Sequence, residues 1–589
     1  MSENPILKYY EAEMRYLREA SKEFAQAHPE AAQRLGLTNV GAPDESVERL
    51  FQGFAFLSGS LRQKLDDDMP EITEPLVGTL WPHMARTIPS LAILECVPRT
   101  NRVGSNRVPE GVAVRSKPVG PAKTACVYRT TRDVEVLPLT LTDAHASTRA
   151  DGRSVICLSF DLQRFDQHAI EDSSRIRIYL HGERANASAL YATLTRDVTS
   201  ISVRMPSIHE GRAQAARGLR IETSGFGTDT RVWPTADPQC DAEQTLLEYF
   251  LFPEKFHFID LCGFDSTTVP PTETHVEFEI VLGRSLPVDT RVEASNFRLH
   301  CSPVINLFEL DAEPIQTDAF QHDYRVRTPR VAGEHIEPYS AVSVIAVDHK
   351  SADKHSYIPF DEFKHRGGML RHEAPERYFH TRNVLGASGA REMWLRLGGL
   401  AWDVPGSVPD DHITARILAN NGMLPRTELR EAMLTEPVSV IAGIDSVRNL
   451  SHPTMPAYPP STERFQWKVM SHFAANRLSF MDATSLREIL SLYNWTADEQ
   501  NQRRIDAVRD VRLRNLQRLG RNRLERGVEI EVTICSNGFL GIGDVTLFTD
   551  VLHRFVSRYA SPNVYVQFVA RVDGAETRYP RAVYEGSVF

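Results

Sequence analysis

Apolar side chains recur every three or four residues near the start of the chain, with charged residues between them. This spacing places them on one face of an α-helix, so it predicts a first helix from Ile6 to about Leu35, ended by Gly36. The apolar face of this helix consists of Tyr9, Tyr16, Leu17, Ala20, Phe24 and Ala27.

A second helix is predicted after Pro43, with Asp44 or Ser46 as its N-cap. It ends before Asp66–Asp68, because three acids at a C-terminus oppose the helix dipole. We expect a short helix from about Ile72 to Trp81 to follow. The apolar stripe of the second helix needs a cover, either another layer of this chain or a partner protein, and both interpretations stay open. This stripe comprises Val47, Leu50, Phe51, Phe54, Leu57, Leu61 and Leu65.

From Ser90 onward, short runs alternate apolar and polar residues and are separated by glycine, proline and asparagine. This pattern is typical of the strands of a β-sandwich or barrel. A helix near Leu246–Phe250 interrupts the series, and Pro270-Pro271 and Pro453–Pro460 are predicted linkers or long loops. The predicted strands are Leu91–Val97, Val112–Arg115, Val134–Leu139, Val155–Leu162, Arg175–Leu180, Val276–Leu282, Val304–Leu310, Val342–Val347, Met393–Leu397 and Val438–Ile441.

The end of the chain mixes both patterns. We predict a helix capped by Thr484, a second helical stretch over about Asp498 to Glu525, and a helix capped by Asp544. Alternating strands are predicted at Val528–Ile534 and Val564–Phe568. Strand, helix and strand of these lengths indicate a small α+β domain.

The 589 residues correspond to about four domains at roughly 150 residues each. We therefore predict a multidomain α+β protein. Its parts are a helical region at 1–90, a β-rich, sandwich-like middle divided into 91–315 and 316–475, and an α+β C-terminal domain at 476–589.

Composition and charge exclude several classes of protein. Hydrophobic residues make up 42% and charged residues 24%, which rules out a disordered, fibrous or collagen-like chain. The net charge of −10 argues against a dedicated nucleic-acid binder, because neutralising phosphates requires a surplus of lysine and arginine.

The seven cysteines form no CxxC pair and have no zinc-finger spacing, which predicts free thiols in a reducing compartment. The first residues become charged at Lys8 and Glu11, so we find no signal peptide. The longest apolar runs, such as Val438–Ile444, are too short to span a bilayer. We expect a soluble, cytosolic protein.

Catalytic and metal-binding motifs are missing from the sequence: it has no HExxH, GxSxG, Walker A or EF-hand pattern. His372-Glu373 begins like a zincin motif, but Pro375 would break the helix that this motif needs. The twenty histidines show no ligand spacing. We therefore expect no metal, no cofactor and no enzymatic activity.

The segment Asn537–Asp544 contains three glycines between a predicted strand and a predicted helix, where phosphate-binding loops lie. It lacks the lysine and the serine or threonine of a P-loop, and an acid at the helix start would repel phosphate. We interpret it as a turn whose glycines adopt positive φ angles and whose Asp544 caps the helix.

Nine arginines lie between positions 503 and 526, with three acids and no lysine. Arginine favours bidentate contacts to carboxylates and phosphates. The segment has no aromatic residue for stacking bases, which weakens a single-stranded nucleic-acid interpretation. A solvated or intramolecular face and a docking face for an acidic partner both stay possible. The docking candidates are Arg512, Arg514 and Arg518.

Blocks of sequence along nearly the whole chain resemble the TssF family, also called VasA or ImpG, a component of the type VI secretion baseplate. The two N-terminal blocks are the most specific. The matching blocks are Ile6–Leu17, Glu23–Ala25, His28–Ala32, Asp44–Leu50, Gly53–Leu57, Leu80–His83, Ile88–Ser90, Tyr128–Val134, Leu247–Phe250, Pro253–Phe256 and Cys535–Leu547.

The resemblance implies a structural role. Two TssF copies would join one TssG in a baseplate wedge with TssK and TssE, and six wedges would surround the VgrG spike and seed the contractile sheath. The family is similar to contractile phage wedge proteins, whose N-terminal helices enter a bundle shared between chains. The implied partner-binding residues are Tyr9, Tyr16, Phe24, Leu50, Phe51, Phe54, Leu57 and Leu61.

The resemblance also implies a cytoplasmic protein recruited to the inner face of the cytoplasmic membrane, with no nucleic acid among its partners and only indirect contact with the membrane. Two alternatives come from other classes of function. A carbohydrate-active enzyme would need a pair of carboxylates facing one cleft, and a nucleic-acid-associated protein would use the arginine-rich segment.

Overall fold

The computed structural model describes most of the chain. The described residues are 5–34, 45–66, 73, 76–78, 80–99, 106–162, 175–206, 214–215, 218–233, 241–264, 273–287, 289–318, 321, 323–329, 335–348, 353–360, 377–385, 391–399, 411–460, 465–474, 482–519, 524–561 and 564–583. Among these, no helix has the length and apolar character needed to cross a membrane.

The described helices are α1 Pro5–Ala27, α2 Pro29–Arg34, α3 Glu45–Asp66, α4 Pro82–Ala85, α5 Arg184–Arg196, α6 Asp241–Leu251, α7 Leu424–Glu428, α8 Phe465–Ala474, α9 Ala483–Ser491, α10 Glu499–Asp506 and α11 Ile542–Ser557. Short 3₁₀ turns lie at Thr228–Thr230, Pro253–Phe256, Ala294–Asn296 and Ser536–Gly538.

The strands are β1 Leu91–Pro98, β2 Asn106–Val108, β3 Ala113–Ser116, β4 Val127–Thr130, β5 Val134–Val136, β6 Leu139–Thr148, β7 Ser154–Leu162, β8 Arg175–Leu180, β9 Val198–Arg204, β10 Gln214–Ala215, β11 Arg220–Ser224, β12 Phe258–Cys262, β13 His275–Leu282, β14 Phe297–Leu299, β15 Cys301–Ile305, β16 Phe308–Asp311, β17 Ile315–Gln316, β18 Asp323–Val326, β19 Glu337–Asp348, β20 Lys354–Pro359, β21 Arg377–Leu385, β22 Arg391–Gly399, β23 Asp411–Asn420, β24 Leu434–Pro437, β25 Ile444–Asn449, β26 Val508–Leu519, β27 Leu524–Ile534, β28 Val564–Val572 and β29 Ala575–Arg578.

The chain divides into two compact units. The first consists of Met1–Arg86, Ala387–Gly389 and Pro459–Asn476, and the second holds the remainder. Within the first unit, Trp81 stacks on Phe473 with 4.5 Å between the ring centroids, so α8 joins the N-terminal helices. The division into four domains stays a prediction.

The first helix is broken where the periodicity predicted a continuous one. Helix α1 ends at Ala27 and α2 begins at Pro29. Pro29 has no N–H to donate to the preceding turn, and a proline disfavours helical angles at the residue before it, which is His28. The predicted C-cap Gly36 lies outside the described residues. The helix predicted at Ile72–Trp81 is described only in part, and its described residues 73, 76–78 and 80 are helical.

The second unit is built from mainly antiparallel sheets, although β20 and β21 pair in parallel. The largest are an eight-stranded sheet, in which β16-β23-β19-β20-β21-β22-β18 are neighbours and β17 also pairs with β23, and a six-stranded sheet of order β24-β3-β4-β15-β1-β25. A five-stranded sheet (β10-β9-β13-β7-β6), a four-stranded sheet (β11-β12-β8-β14) and the pair β2-β5 complete this β-rich part. The six-stranded sheet combines strands from both segments predicted as separate β-rich domains.

Most predicted strands and the helix near Leu246–Phe250 are present, but three strand predictions need correction. The run Val134–Leu139 is divided between β5, which ends at Val136, and β6, which begins at Leu139 in another sheet. The run Val304–Leu310 is two strands, because the buried Asn306 side chain donates to Val127 O and Asn421 Oδ1, both at 2.8 Å, between β15 and β16. The run Val438–Ile441 is a loop, since the chain leaves β24 after Pro437. Val440 is 89% exposed, while Ile441 packs against the core. Helix α5 was not predicted.

The C-terminal sheet has the order β26-β27-β28-β29. Strands β27 and β28 pair in parallel and α11 connects them, as the predicted strand–helix–strand unit requires. The helix predicted over Asp498 to Glu525 is wrong beyond Asp506, where the chain continues as β26. The helix predicted to start at Thr484 is instead capped by Asp482, whose carboxylate accepts from Ser485 N at 2.8 Å.

Helix α11 packs closely on α5 through a glycine. A Cβ on Gly543 would lie 2.1 Å from the carbonyl oxygen of Ser188. We expect Gly543→Ala to destabilise the chain by about 1–3 kcal/mol, the usual cost of overpacking, despite the better helix propensity of alanine.

Urea unfolding of this variant would be compared with that of Gly53→Ala, because a Cβ at Gly53 in α3 meets nothing within 4 Å. The control should be neutral or slightly stabilising. If both variants were as stable as the native chain, the close packing of α11 on α5 would be contradicted.

Candidate partner-binding surface

Helices α1 and α3 form a hairpin that packs through small residues. Met14, Ala55 and Gly59 are buried between the two helices. A Cβ on Gly59 would lie 3.1 Å from Tyr10 N, so the helices approach closely at this point. The face of α3 that meets α1 is therefore the small-residue face, and the large apolar side chains lie elsewhere.

Polar contacts fix the register of the hairpin. Glu13 on α1 accepts from Arg62 Nη1 at 2.6 Å and from Ser58 Oγ at 3.1 Å, and Arg18 pairs with Glu48. The hydrogen bond from Arg62 lowers the pKa of the Glu13 carboxyl below its ordinary value. These contacts fix the orientation of α3 about its own axis. They therefore also fix which of its side chains point away from α1.

The apolar stripe of α3 lies on the face turned away from α1, and it is exposed. Leu50 is 71%, Phe54 59%, Leu57 68% and Leu61 63% exposed. A soluble chain rarely leaves a continuous patch of this kind uncovered. The four side chains form one surface on a rigid hairpin, and we call it the α3 stripe.

The other residues predicted to bind a partner differ in exposure. Tyr16 is 64% and Phe24 is 38% exposed, whereas Tyr9 and Phe51 are half-buried. Phe56, which sequence periodicity placed off the stripe, is 52% exposed and adds apolar surface to α3. The side chains of Val47 and Leu65 lie outside the described residues.

The arginine-rich segment is a strand whose side chains alternate between two faces. Val511 is buried, while Arg512, Arg514 and Arg518 are exposed on the opposite face. Arg512 donates to Asp510 at 2.8 Å. Arg518 lies opposite Glu525 in the register of β26 and β27.

Arg514 covers two buried carboxylates of the neighbouring strand. Its guanidinium lies 3.8 Å from both Glu529 and Glu531, which are 5% and 3% exposed. Arg578 also pairs with Glu529 at 3.1 Å, and Arg571 pairs with Glu531 at 3.5 Å. Arg514 thus belongs to an intramolecular charge network, and reversing its charge would disturb the sheet itself.

We expect Arg514→Glu to destabilise the chain, because it adds a third carboxylate beside Glu529 and Glu531. The expected loss is about 1–2 kcal/mol, between the values for exposed and buried ion pairs. Arg518→Glu on the same strand should change stability by less than about 0.5 kcal/mol. Urea unfolding measures both. Similar stabilities of the two variants would show that the network does not stabilise the sheet.

The glycine-rich turn before α11 is structural. Gly541 has a φ of 145° and precedes the helix, while Asp544 lies within its first turn and accepts from Leu540 N at 3.2 Å. Asp544 is thus not the N-cap residue, and of the three glycines in this turn only Gly541 has positive φ. Arg504 Nη2 donates to Asp544 at 2.9 Å and both side chains are buried, so the carboxylate occupies the place of an incoming anion.

Several buried groups that could perform chemistry are protonated or paired. Among the described residues, no cluster of three or more histidine, cysteine and acidic side chains could hold a metal ion. Burial raises the pKa of the Cys96 and Cys126 thiols to about 12. The buried carboxylate of Glu248 pairs with Lys255 and accepts from Val232 N at 3.0 Å.

A family model places the chain within a known class of secretion proteins. The model described as "Type VI secretion system, TssF" matches residues 2–583. The chain therefore belongs to the TssF family of the type VI secretion system.

Similar proteins support this assignment along the full length. The chain is 26% identical over 616 aligned positions to the type VI secretion system component TssF1 of Pseudomonas aeruginosa, covering 96% of this chain and 97% of that protein. A chain of the TssK-TssF-TssG baseplate subcomplex, determined by cryo-electron microscopy, is 38% identical with a TM-score of 0.79, covering 91% of this chain and 99% of that one. A chain of a type VI baseplate complex is 36% identical with a TM-score of 0.72, covering 98% and 99%.

Proposed function

We propose that this chain is a structural subunit of the type VI secretion baseplate wedge and assembles with TssG-like and TssK-like chains. The observation that carries the proposal is the exposed α3 stripe on a hairpin whose other face is already packed. Membership of the TssF family supports it, and so do the similar chains found in baseplate complexes that contain TssG and TssK.

The α3 stripe would be covered in a helical bundle shared with the partner. Burying each of its side chains contributes roughly 1.5–3 kcal/mol, so Leu50, Phe54, Leu57 and Leu61 together could hold a stable interface. Tyr16, Phe24 and Phe51 would enlarge this contact. A bundle of this kind is the arrangement expected from the similarity to contractile phage wedge proteins.

The finer parts of the assembly follow from the same proposal. Two copies of this chain would join one TssG-like chain, a TssE-like chain would complete the wedge, and six wedges would surround the VgrG spike beneath the sheath. The wedge would form in the cytoplasm and reach the inner face of the cytoplasmic membrane only as part of the baseplate.

Co-expression tests this proposal. The chain alone should aggregate or express poorly, because the α3 stripe is uncovered, and a TssG-like chain should restore soluble material. The mass of the purified complex should fit two copies of this chain per TssG-like chain. A monodisperse, soluble chain that ignores the TssG-like protein would contradict the proposed wedge role.

A further inference from the structure

Three basic side chains converge on the surface of the second unit, near α7. Arg426 Nη1 contacts His452 Nδ1 and donates to Pro453 O at 3.2 Å. Arg430 Nη1 lies 2.9 Å from Nε2 on the other side of the same imidazole. We call Arg426, Arg430 and His452 the basic cluster.

The acceptors around the cluster are all uncharged. A neutral imidazole has one nitrogen that accepts and one that donates, while a guanidinium only donates. With its proton on Nδ1, His452 donates to Pro453 O at 3.1 Å and accepts from Arg430 at Nε2, while Arg426 donates to the same Pro453 O. The two guanidinium charges therefore meet neutral atoms only, which leaves them available to an anion.

No described residue supplies an anion to the cluster. Among the described residues, most arginines have acidic partners, as Arg416 has in Asp311 and Arg115 in Glu436. Neither Arg426 nor Arg430 forms an ion pair with any carboxylate in the described part of the chain, including their sequence neighbours Glu428 and Glu431.

The backbone that carries the cluster is held rigidly by one buried side chain. Asn449 is 1% exposed and its Nδ2 donates to Arg430 O at 2.8 Å and to Ser451 O at 2.9 Å. Its Oδ1 accepts from Met433 N and Leu434 N, both at 2.9 Å. The segments bearing Arg430 and His452 are thus tied together, and a fixed donor array loses little entropy on binding.

The surroundings of the cluster fit a protein segment. Met423 at the start of α7 is 43% exposed, and Met455, three residues after His452, is 49% exposed. Exposed methionines are common on surfaces that bind apolar side chains of other proteins. The cluster offers only two arginines and one histidine, whereas nucleic-acid affinity depends on many phosphate contacts.

We propose that the basic cluster binds a carboxylate of an acidic segment in a neighbouring baseplate protein, with Met423 and Met455 contacting apolar side chains of the same segment. This inference rests on the proposed assembly role, but it concerns a different surface from the α3 stripe. The carboxylate would accept hydrogen bonds from Arg426 and Arg430 together, and such charge-assisted bonds are shorter and stronger than bonds between neutral groups.

Zero-length cross-linking of the co-purified complex tests the site within the assembly. Arg430→Lys places an amine at the cluster, and a carbodiimide joins an amine only to a carboxylate in direct contact. We expect the introduced amine to be joined to an acidic residue of another chain. Cross-links confined to Glu428 or Glu431 of this chain would overturn the proposal.

A binding assay on the isolated full-length chain tests the chemistry independently. Its probe is a fluorescein-labelled peptide of alternating glutamate and leucine. Arg426→Gln with Arg430→Gln should weaken binding about tenfold or more, the usual effect of removing charged partners. Arg115→Gln with Arg416→Gln removes two exposed arginines that already have partners, and this control should bind like the native chain.

The two experiments separate the possible failures. The basic-cluster proposal would be overturned if both double variants bound the peptide equally well. It would also be overturned if Arg426→Gln with Arg430→Gln weakened binding of a DNA oligonucleotide but not of the peptide. Failure of the native chain to co-purify with TssG-like and TssK-like chains would count against the proposed wedge role, while the peptide assay would still decide the chemistry of the cluster.

Discussion

Leu57→Asp should abolish the complex with a TssG-like chain and, in cells, secretion. Leu57 lies at the centre of the α3 stripe and is 68% exposed in the isolated chain. In a shared bundle, the substitution would bury an unpaired carboxylate at a cost of several kcal/mol. Co-purification with the TssG-like chain measures the loss.

The fold of the second unit should survive this substitution, because it has hydrophobic cores of its own. Limited proteolysis should therefore leave a stable fragment from the β-rich part. Gln52→Asp is the matched control, since it adds the same charge to an exposed position of α3 outside the stripe. The control should assemble normally.

Two outcomes would contradict this expectation. If Leu57→Asp leaves the complex intact, the α3 stripe does not face a partner. If the whole chain of the variant is digested, the helices belong to one intramolecular core with the rest of the protein, which is the alternative that sequence periodicity left open.

Asp544→Ala should destabilise the second unit by about 3–5 kcal/mol, the usual cost of removing one partner of a buried ion pair. Arg504 and Asp544 are 1% and 3% exposed, and Arg504 contacts Asp544 with Nε at 3.1 Å and with Nη2 at 2.9 Å. Without the carboxylate, the buried guanidinium keeps only Asn501 Oδ1, at 2.8 Å, among its hydrogen-bond acceptors. Urea unfolding of the variant and the native chain measures this loss of stability.

A neighbouring ion pair supplies the control for this experiment. Arg503 pairs with Glu499 at 2.6 Å on the same helix, α10, but these side chains are 61% and 82% exposed. Glu499→Ala should change stability by less than about 1 kcal/mol, as exposed pairs do. Equal effects of Asp544→Ala and Glu499→Ala would show that burial adds nothing to the Arg504–Asp544 pair.

Periodicity predicted the features that depend on local sequence. The stripe of Leu50, Phe54, Leu57 and Leu61 is regular enough to define one face of α3, and its exposure is what a partner-binding role requires. The strand Val528–Ile534 was equally clear, because apolar and polar residues alternate strictly there. The partner-binding role of these residues stays a prediction.

Local sequence patterns could not predict features that depend on contacts between distant parts of the chain. Arginine is a good helix former, so nine arginines favoured a helix, whereas the buried Glu529 and Glu531 on the next strand stabilise Arg514 in a sheet. The pairing of β1 with β15 and β25 joins residues some two hundred and more than three hundred positions apart. The basic cluster likewise brings His452 to α7 only through the folded backbone.

Cysteine accessibility at position 57 tests the central claim most directly. Leu57→Cys would be treated with a maleimide in the isolated chain and in the complex with a TssG-like chain, and labelling of the α3 peptide would be read by mass spectrometry. Glu19→Cys, on the exposed surface of α1, is the control that shows whether the complex shields other exposed positions from the maleimide. We predict rapid labelling at position 57 in the isolated chain and strong protection in the complex, with position 19 labelled in both. Equal labelling at position 57 in the two states would contradict burial of the α3 stripe against a partner.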